Sequence, residues 1–106
     1  MSDFEKVCRV EDLVPNSGLA ALVGNTQVAL YYIDDQVFAL DNYDPVAKNF
    51  TLSRGMCGDK EGELMFAAPT YKEHYSLITG QCLDDANLSV PVYDAKIENG
   101  EVWVKV

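Results

Sequence analysis

With 106 residues the chain has room for one hydrophobic core, since a domain of this size buries only about two-thirds of the surface its unfolded chain exposes. Its 48% hydrophobic and 24% charged residues match globular averages and exclude a disordered tail protein. Seventeen Asp and Glu against eight Lys and Arg give a formal charge of −9, a mean field that repels phosphate backbones and anionic lipid, so nucleic-acid and membrane-surface roles are excluded first.

Short runs rich in Val, Tyr, Phe and Leu recur between turn signals, and helix-period stripes are scarce, so the expected class is all-β with little helix. Residues 4–9 read as the first strand. Glu11 and Asp12 open a single helical turn that Pro15 ends, and Asn16-Ser17-Gly18 is a turn. Residues 19–23, 27–33 and 36–40 are separated by Gly24-Asn25-Thr26 and Asp34-Asp35, which predicts an antiparallel meander.

The middle differs in character. Asn42-Tyr43-Asp44-Pro45 begins a loop that Leu52-Ser53-Arg54-Gly55 closes, residues 58–62 read as a charged turn, and residues 64–68 as a short apolar strand. A second loop covers residues 68–73, and residues 75–80 read as a strand ending at a turn. At the C-terminal end, residues 93–98 and 101–106 flank Asn99-Gly100, the strongest short hairpin signal because both residues tolerate φ > 0. Val102, Val104 and Val106 are expected inward, with Trp103 half-buried on the other face.

Cys8, Cys57 and Cys82 are odd in number and widely spaced, which suits neither a disulfide framework nor a paired zinc site; they read as reduced thiols. The N-terminal stretch lacks the apolar run of a secretory signal, and no segment approaches the ~20 apolar residues of a membrane span, so a cytoplasmic location is expected. No Gly-rich nucleotide loop is present, and His74 is the only histidine, so no nucleophile with its own base is expected. Adjacent acids such as Asp34-Asp35 and Asp84-Asp85 read as solvated turns.

The two Pro-containing loops resemble those of the Rieske [2Fe-2S] domain, whose first loop has the form Asn-x-Cys-Pro-His and whose second has Cys-Pro-x-His. Here Asn42-Tyr43-Asp44-Pro45-Val46 and Ala68-Pro69-Thr70-Tyr71 stand at those places, with Leu52-Ser53-Arg54-Gly55 and Leu77-Ile78-Thr79-Gly80 matching the loop exits. The resemblance implies one Rieske-like domain over residues 1–106. Its expected architecture is an antiparallel β-sandwich or small barrel, with a cluster-type two-loop subdomain, residues 41–80, inserted in a base sheet. It also implies that the four ligands are gone: Asp44 and Ala68 replace the two Cys, and Val46 and Tyr71 the two His. Val46 and Ala68 offer no donor atom, and oxygen from Asp44 or Tyr71 suits a soft sulfide-bridged cluster poorly. Whether Cys57, Cys82 or His74 binds a metal is left open at this point.

Within that family the chain is similar to the small subunits of cytoplasmic NADH-dependent nitrite reductases, in the stretches 7–15, 36–45 and 52–55 and the step from Gly62-Glu63-Leu64 to Ala68-Pro69. The similarity implies an accessory, non-catalytic subunit without a bound cofactor. Its partner would be a large catalytic subunit carrying FAD, an iron–sulfur cluster and sirohaem, which reduces nitrite to ammonium in nitrate and nitrite assimilation. Docking residues expected at the loop tips are Asp44, Val46, Tyr71 and His74, with Tyr71 foremost because aromatic residues are enriched at interface hot spots. Packing of Val46 and Tyr71 into the space of a lost cluster is an equal alternative. Two rival readings remain open: a Rieske-type ferredoxin with unusual ligands, and a redox-independent β-sandwich adaptor.

Overall fold

A computed structural model describes residues 4–106; the first three residues of the acidic N-terminal stretch lie outside it. Eleven strands form three antiparallel sheets: β1 (Glu5–Arg9), β2 (Ser17–Val23), β3 (Thr26–Ile33), β4 (Gln36–Asp41), β5 (Tyr43–Asp44), β6 (Asn49–Phe50), β7 (Met56–Lys60), β8 (Glu63–Ala67), β9 (His74–Ser76), β10 (Val92–Glu98) and β11 (Glu101–Lys105). The base sheet has the order β1-β11-β10-β4-β3-β2, and its two edge strands approach each other, nearly closing a barrel. The hairpin β5–β6 and the three-stranded sheet β7-β8-β9 are carried by the segment between β4 and β10. No helix among the described residues is long and apolar enough to cross a membrane.

The predicted meander is present, and its turns explain its register. Asp34 and Asp35 both adopt positive φ, 54° and 59°, and Asn99-Gly100 does the same at 55° and 76°, the geometry of two-residue type I′ hairpins. Short polar side chains make αL tolerable for Asp and Asn.

Strand β3 reads as a continuous apolar run because it is covered on both faces. Ala29, Tyr31 and Ile33 join a core with Leu40, Leu52, Phe66, Tyr75 and Leu77, beneath the small sheet. Val28 and Leu30 face the barrel interior with Val37, Ala39, Val102 and Val104.

Several local expectations need correction. The helical turn is a 3-10 turn, Val10–Asp12, closed by the Leu13 amide on the Val10 carbonyl rather than by Pro15. The turn before β2 centres on Asn16, at φ 62°, and the strand already starts at Ser17. The charged turn of residues 58–62 shrinks to Glu61-Gly62, because Gly58, Asp59 and Lys60 pair with Met65, Leu64 and Glu63. Strand β9 ends at Ser76, whose hydroxyl accepts the Ile78 and Thr79 amides and turns the chain there. Val102 and Val104 are fully buried and Trp103 half-buried as expected, but Val106 is exposed beyond the end of β11.

After β9 the chain runs back over the small sheet and is tied to it. The Leu83 amide donates to the His74 carbonyl at 2.7 Å, and Asp84 Oδ2 accepts the His74 amide and lies 2.8 Å from its Nδ1. Lys60 Nζ lies 3.3 Å from the other Asp84 oxygen. These contacts, led by the His74 amide and ring, hold the Asp84 carboxyl down to about 2.

Two outcomes follow for stability. A β-carbon added at Gly55 would meet the Ala67 carbonyl oxygen at 2.2 Å, a contact with backbone that cannot swing away. Gly55→Ala should therefore destabilise the chain by about 1–3 kcal/mol in urea unfolding, the usual range for overpacking. Asp84 has a folded pKa below its unfolded value, so its contribution is fully present above about pH 4 and is lost as pH falls toward 2. Melting temperature against pH should show Asp84→Asn less stable than the parent at neutral pH, with the gap closing over that acidic window.

Candidate functional site

Loop 1, residues 42–55, is organised from below by Asn42, which is 2% exposed. Its amide donates to the Gln27 carbonyl, its Nδ2 to the Phe50 carbonyl at 3.2 Å, and its Oδ1 accepts the Ser53 amide at 2.7 Å. The Leu52 amide completes the ring by donating to the Asn42 carbonyl. One buried amide side chain thus joins the entrance of the loop to its exit, a role that the motif marked by position only.

Asp44, the residue at the first cysteine position, is fully buried. Its Oδ1 accepts the Val46 amide at 2.9 Å and the Ala47 amide at 3.0 Å, and its carbonyl accepts the Lys48 amide at 2.7 Å. That oxygen therefore closes a tight turn by accepting two successive backbone amides. Expected at the docking tip, Asp44 instead presents no side-chain surface at all.

Loop 2, residues 68–73, closes through the backbone. The Ala68 amide donates to the Glu73 carbonyl at 2.8 Å, and the Lys72 amide to the Ala68 carbonyl at 3.1 Å. Ala68 is fully buried in the core beneath the small sheet, whereas Tyr71 is 62% exposed. Val46 and His74 are half-buried. Tyr71 is thus the expected docking residue with the most free surface, and it does not fill the place of a cluster.

Sequence reasoning passed over a second exposed aromatic feature. Tyr43 and Phe50, paired across β5–β6, pack edge to face at 5.1 Å and flank a cleft of about 320 Å³ with Pro45 and Pro91. Two aromatic residues within one short loop were the available signal.

The donor set does not fit a Rieske centre, which needs two thiolates and two imidazoles. Ala68 and Val46 carry only methyl groups, and one Asp44 oxygen is already committed to two amides. Nor can the remaining thiols join forces. Cys57, Phe66, Tyr75 and Cys82 stand in one row across neighbouring strands, which separates the two thiols by three strand spacings, roughly 14 Å. Burial raises the pKa of Cys57, as of a thiol kept neutral. Among the described residues no group of three or more His, Cys, Asp or Glu is placed to hold a metal ion.

Comparison with known proteins places this architecture. Residues 3–105 match the Rieske-like [2Fe-2S] domain family. The chain is 38% identical to the nitrite reductase (NADH) small subunit of Escherichia coli strain K12, with 99% of each chain covered. A putative NADH-dependent nitrite reductase small subunit from Mycobacterium tuberculosis superposes with a TM-score of 0.91 at 38% identity, covering 95% of this chain and 92% of that one. The nitrite reductase [NAD(P)H] large subunit of Klebsiella oxytoca is 37% identical over 95% of this chain, which corresponds to 11% of its own length. The two-loop scaffold, the base sheet and these full-length similarities agree: the chain belongs to the Rieske-like [2Fe-2S] domain family, together with the nitrite reductase (NADH) small subunits.

Proposed function

We propose that the chain is the non-catalytic small subunit of a cytoplasmic NADH-dependent nitrite reductase and binds no redox cofactor itself. On this reading the whole chain is one domain, residues 41–80 form its two-loop subdomain, and the loops dock on the large subunit. FAD, the iron–sulfur cluster and sirohaem belong to that partner, which reduces nitrite to ammonium in nitrate and nitrite assimilation.

The observation that carries this reading is the pair of similarities that run nearly the full length of the chain, one to a separate small subunit and one to a stretch of a large subunit. A domain found both beside and within the large polypeptide is one whose work is done in contact with it. The lack of two thiolates and two imidazoles at the loops supports an accessory role rather than electron carriage.

Among the loop residues Tyr71 offers an exposed, amphipathic ring with few rotamers to lose on binding, the profile of an interface anchor. Val46 and His74 are half-buried, and Asp44 acts by shaping the turn beneath Val46.

Affinity capture of a nitrite reductase large subunit by the tagged chain tests this directly. Tyr71→Ala should weaken assembly about tenfold or more, as expected for an aromatic anchor, and lower NADH-dependent nitrite consumption in parallel while leaving the circular dichroism spectrum unchanged. Unaltered affinity in both Tyr71→Ala and Val46→Asp would move the interface away from the loops. Iron and acid-labile sulfide at one [2Fe-2S] cluster per chain, after anaerobic purification, would instead select the ferredoxin reading.

A further inference from the structure

The cleft on the flank of loop 1 joins aromatic walls to one acidic group. Tyr43, Pro45 and Phe50 line it from the loop, Val90 and Pro91 from the segment that leads into β10, and Asp41 from the end of β4. Tyr43 and Phe50 pack edge to face at 5.1 Å and keep 37% and 51% of their surface open. Among the described residues that line the cleft, one is acidic and none is basic.

Asp41 is fixed in place from two sides. Its Oδ1 accepts the Tyr43 amide at 2.9 Å and its Oδ2 the Tyr93 hydroxyl at 2.9 Å, while its own amide donates to the Pro91 carbonyl at 3.0 Å. A carboxylate has about four acceptor positions, two on each oxygen, so each Asp41 oxygen keeps one to offer.

This combination selects the guest. An apolar side chain would cover the rings but leave the spare acceptor positions of Asp41 without donors, which costs free energy once water is displaced. A cation meets both walls, since an aromatic face attracts positive charge and the acid supplies its counter-charge. Guanidinium meets them better than ammonium: it is planar, stacks on rings, presents a donor fork to a carboxylate and gives up its hydration more readily. A second copy of this chain is a poor source, because two chains of formal charge −9 repel one another.

We propose that the cleft receives an arginine side chain of the large subunit, with its guanidinium on the Tyr43–Phe50 pair and hydrogen-bonded to Asp41. The inference rests on the reading of the chain as a nitrite reductase small subunit. To the contact made by Tyr71 it adds a second one, selective for charge, beside loop 1.

The affinity of the tagged full chain for a nitrite reductase large subunit tests it, with Asp41→Asn and Phe50→Leu as variants. Asn keeps the shape of Asp, accepts the Tyr43 amide through Oδ1 and can donate Nδ2 to the Tyr93 oxygen. Leu at the exposed position 50 stays apolar but has no ring face. Both variants should keep the circular dichroism spectrum of the parent. Asp41→Asn should weaken assembly about tenfold or more, and Phe50→Leu about threefold or more. Because both groups hold one guanidinium, the double variant should lose at least about twofold less than the product of the single losses. Unchanged affinity in Asp41→Asn, or losses that simply multiply, would overturn the arginine contact. A parent chain that captures no large subunit would overturn the underlying reading too, whereas capture by the parent and equally by both variants would overturn the contact alone.

Discussion

The structure depends on a stack of three buried rings that joins its two halves. Tyr31 of the base sheet lies on Phe66 of β8 at 5.0 Å between centroids and 20° between planes, and Phe66 lies on Tyr75 of β9 at 5.4 Å and 22°. The Tyr31 hydroxyl donates to the Leu52 carbonyl, so the same residue also fixes the exit of loop 1. Each aromatic pair contributes about 0.5–1.5 kcal/mol beyond its buried area. The rings therefore tie the small sheet to the base sheet and, through Tyr31, to the exit of loop 1. Gly18 and Gly55 complete the fit, since a β-carbon at either would come within 2.2 Å of a backbone carbonyl, of Ser53 or of Ala67.

Given that frame, loop 1 needs only a local anion to hold its turn. In a Rieske centre that anion is a thiolate bonded to iron. Here Asp44 Oδ1 accepts the backbone amides of Val46 and Ala47 and closes the turn. Loop 2 has no such demand. Its ends meet through the Ala68 and Lys72 amides, so the buried position at its start tolerates a methyl group.

Much of this was legible in the chain itself. The meander and the Asn99-Gly100 hairpin followed from turn residues whose φ values the structure bears out, and the two Pro-containing loops followed from motif spacing. Strand β7 was hidden because Met56-Cys57-Gly58-Asp59-Lys60 has no apolar alternation; it is a strand because it pairs with β8, a tertiary cause that propensity does not see. The burial of Asp44 was hidden for a similar reason. A charged residue in a loop is ordinarily exposed, and the convergence of two amides on one oxygen, which offsets part of the cost of its burial, is a tertiary feature the residue type does not announce. Tyr71 carried the opposite ambiguity: an aromatic residue at a former ligand position suits a filled cavity as well as a free surface. Its 62% exposure decides for the surface.

The four positions that the Rieske resemblance sets beside the ligands sort by environment rather than by chemistry. Where the position is buried against the core, the residue is a small apolar one, Ala68. Where it is buried but faces free amides, it is an acceptor, Asp44. Where it is half-covered, it is Val46, and where it is open to solvent, it is a large aromatic, Tyr71. Ala68 and Val46 match side chain to surroundings, and Asp44 does so through Oδ1 only, since its Oδ2 is buried without a partner among the described residues. Tyr71, 62% exposed, leaves most of its ring in solvent and so adds little buried area to the folded chain, while the loop that carries it is closed by the Ala68 and Lys72 amides.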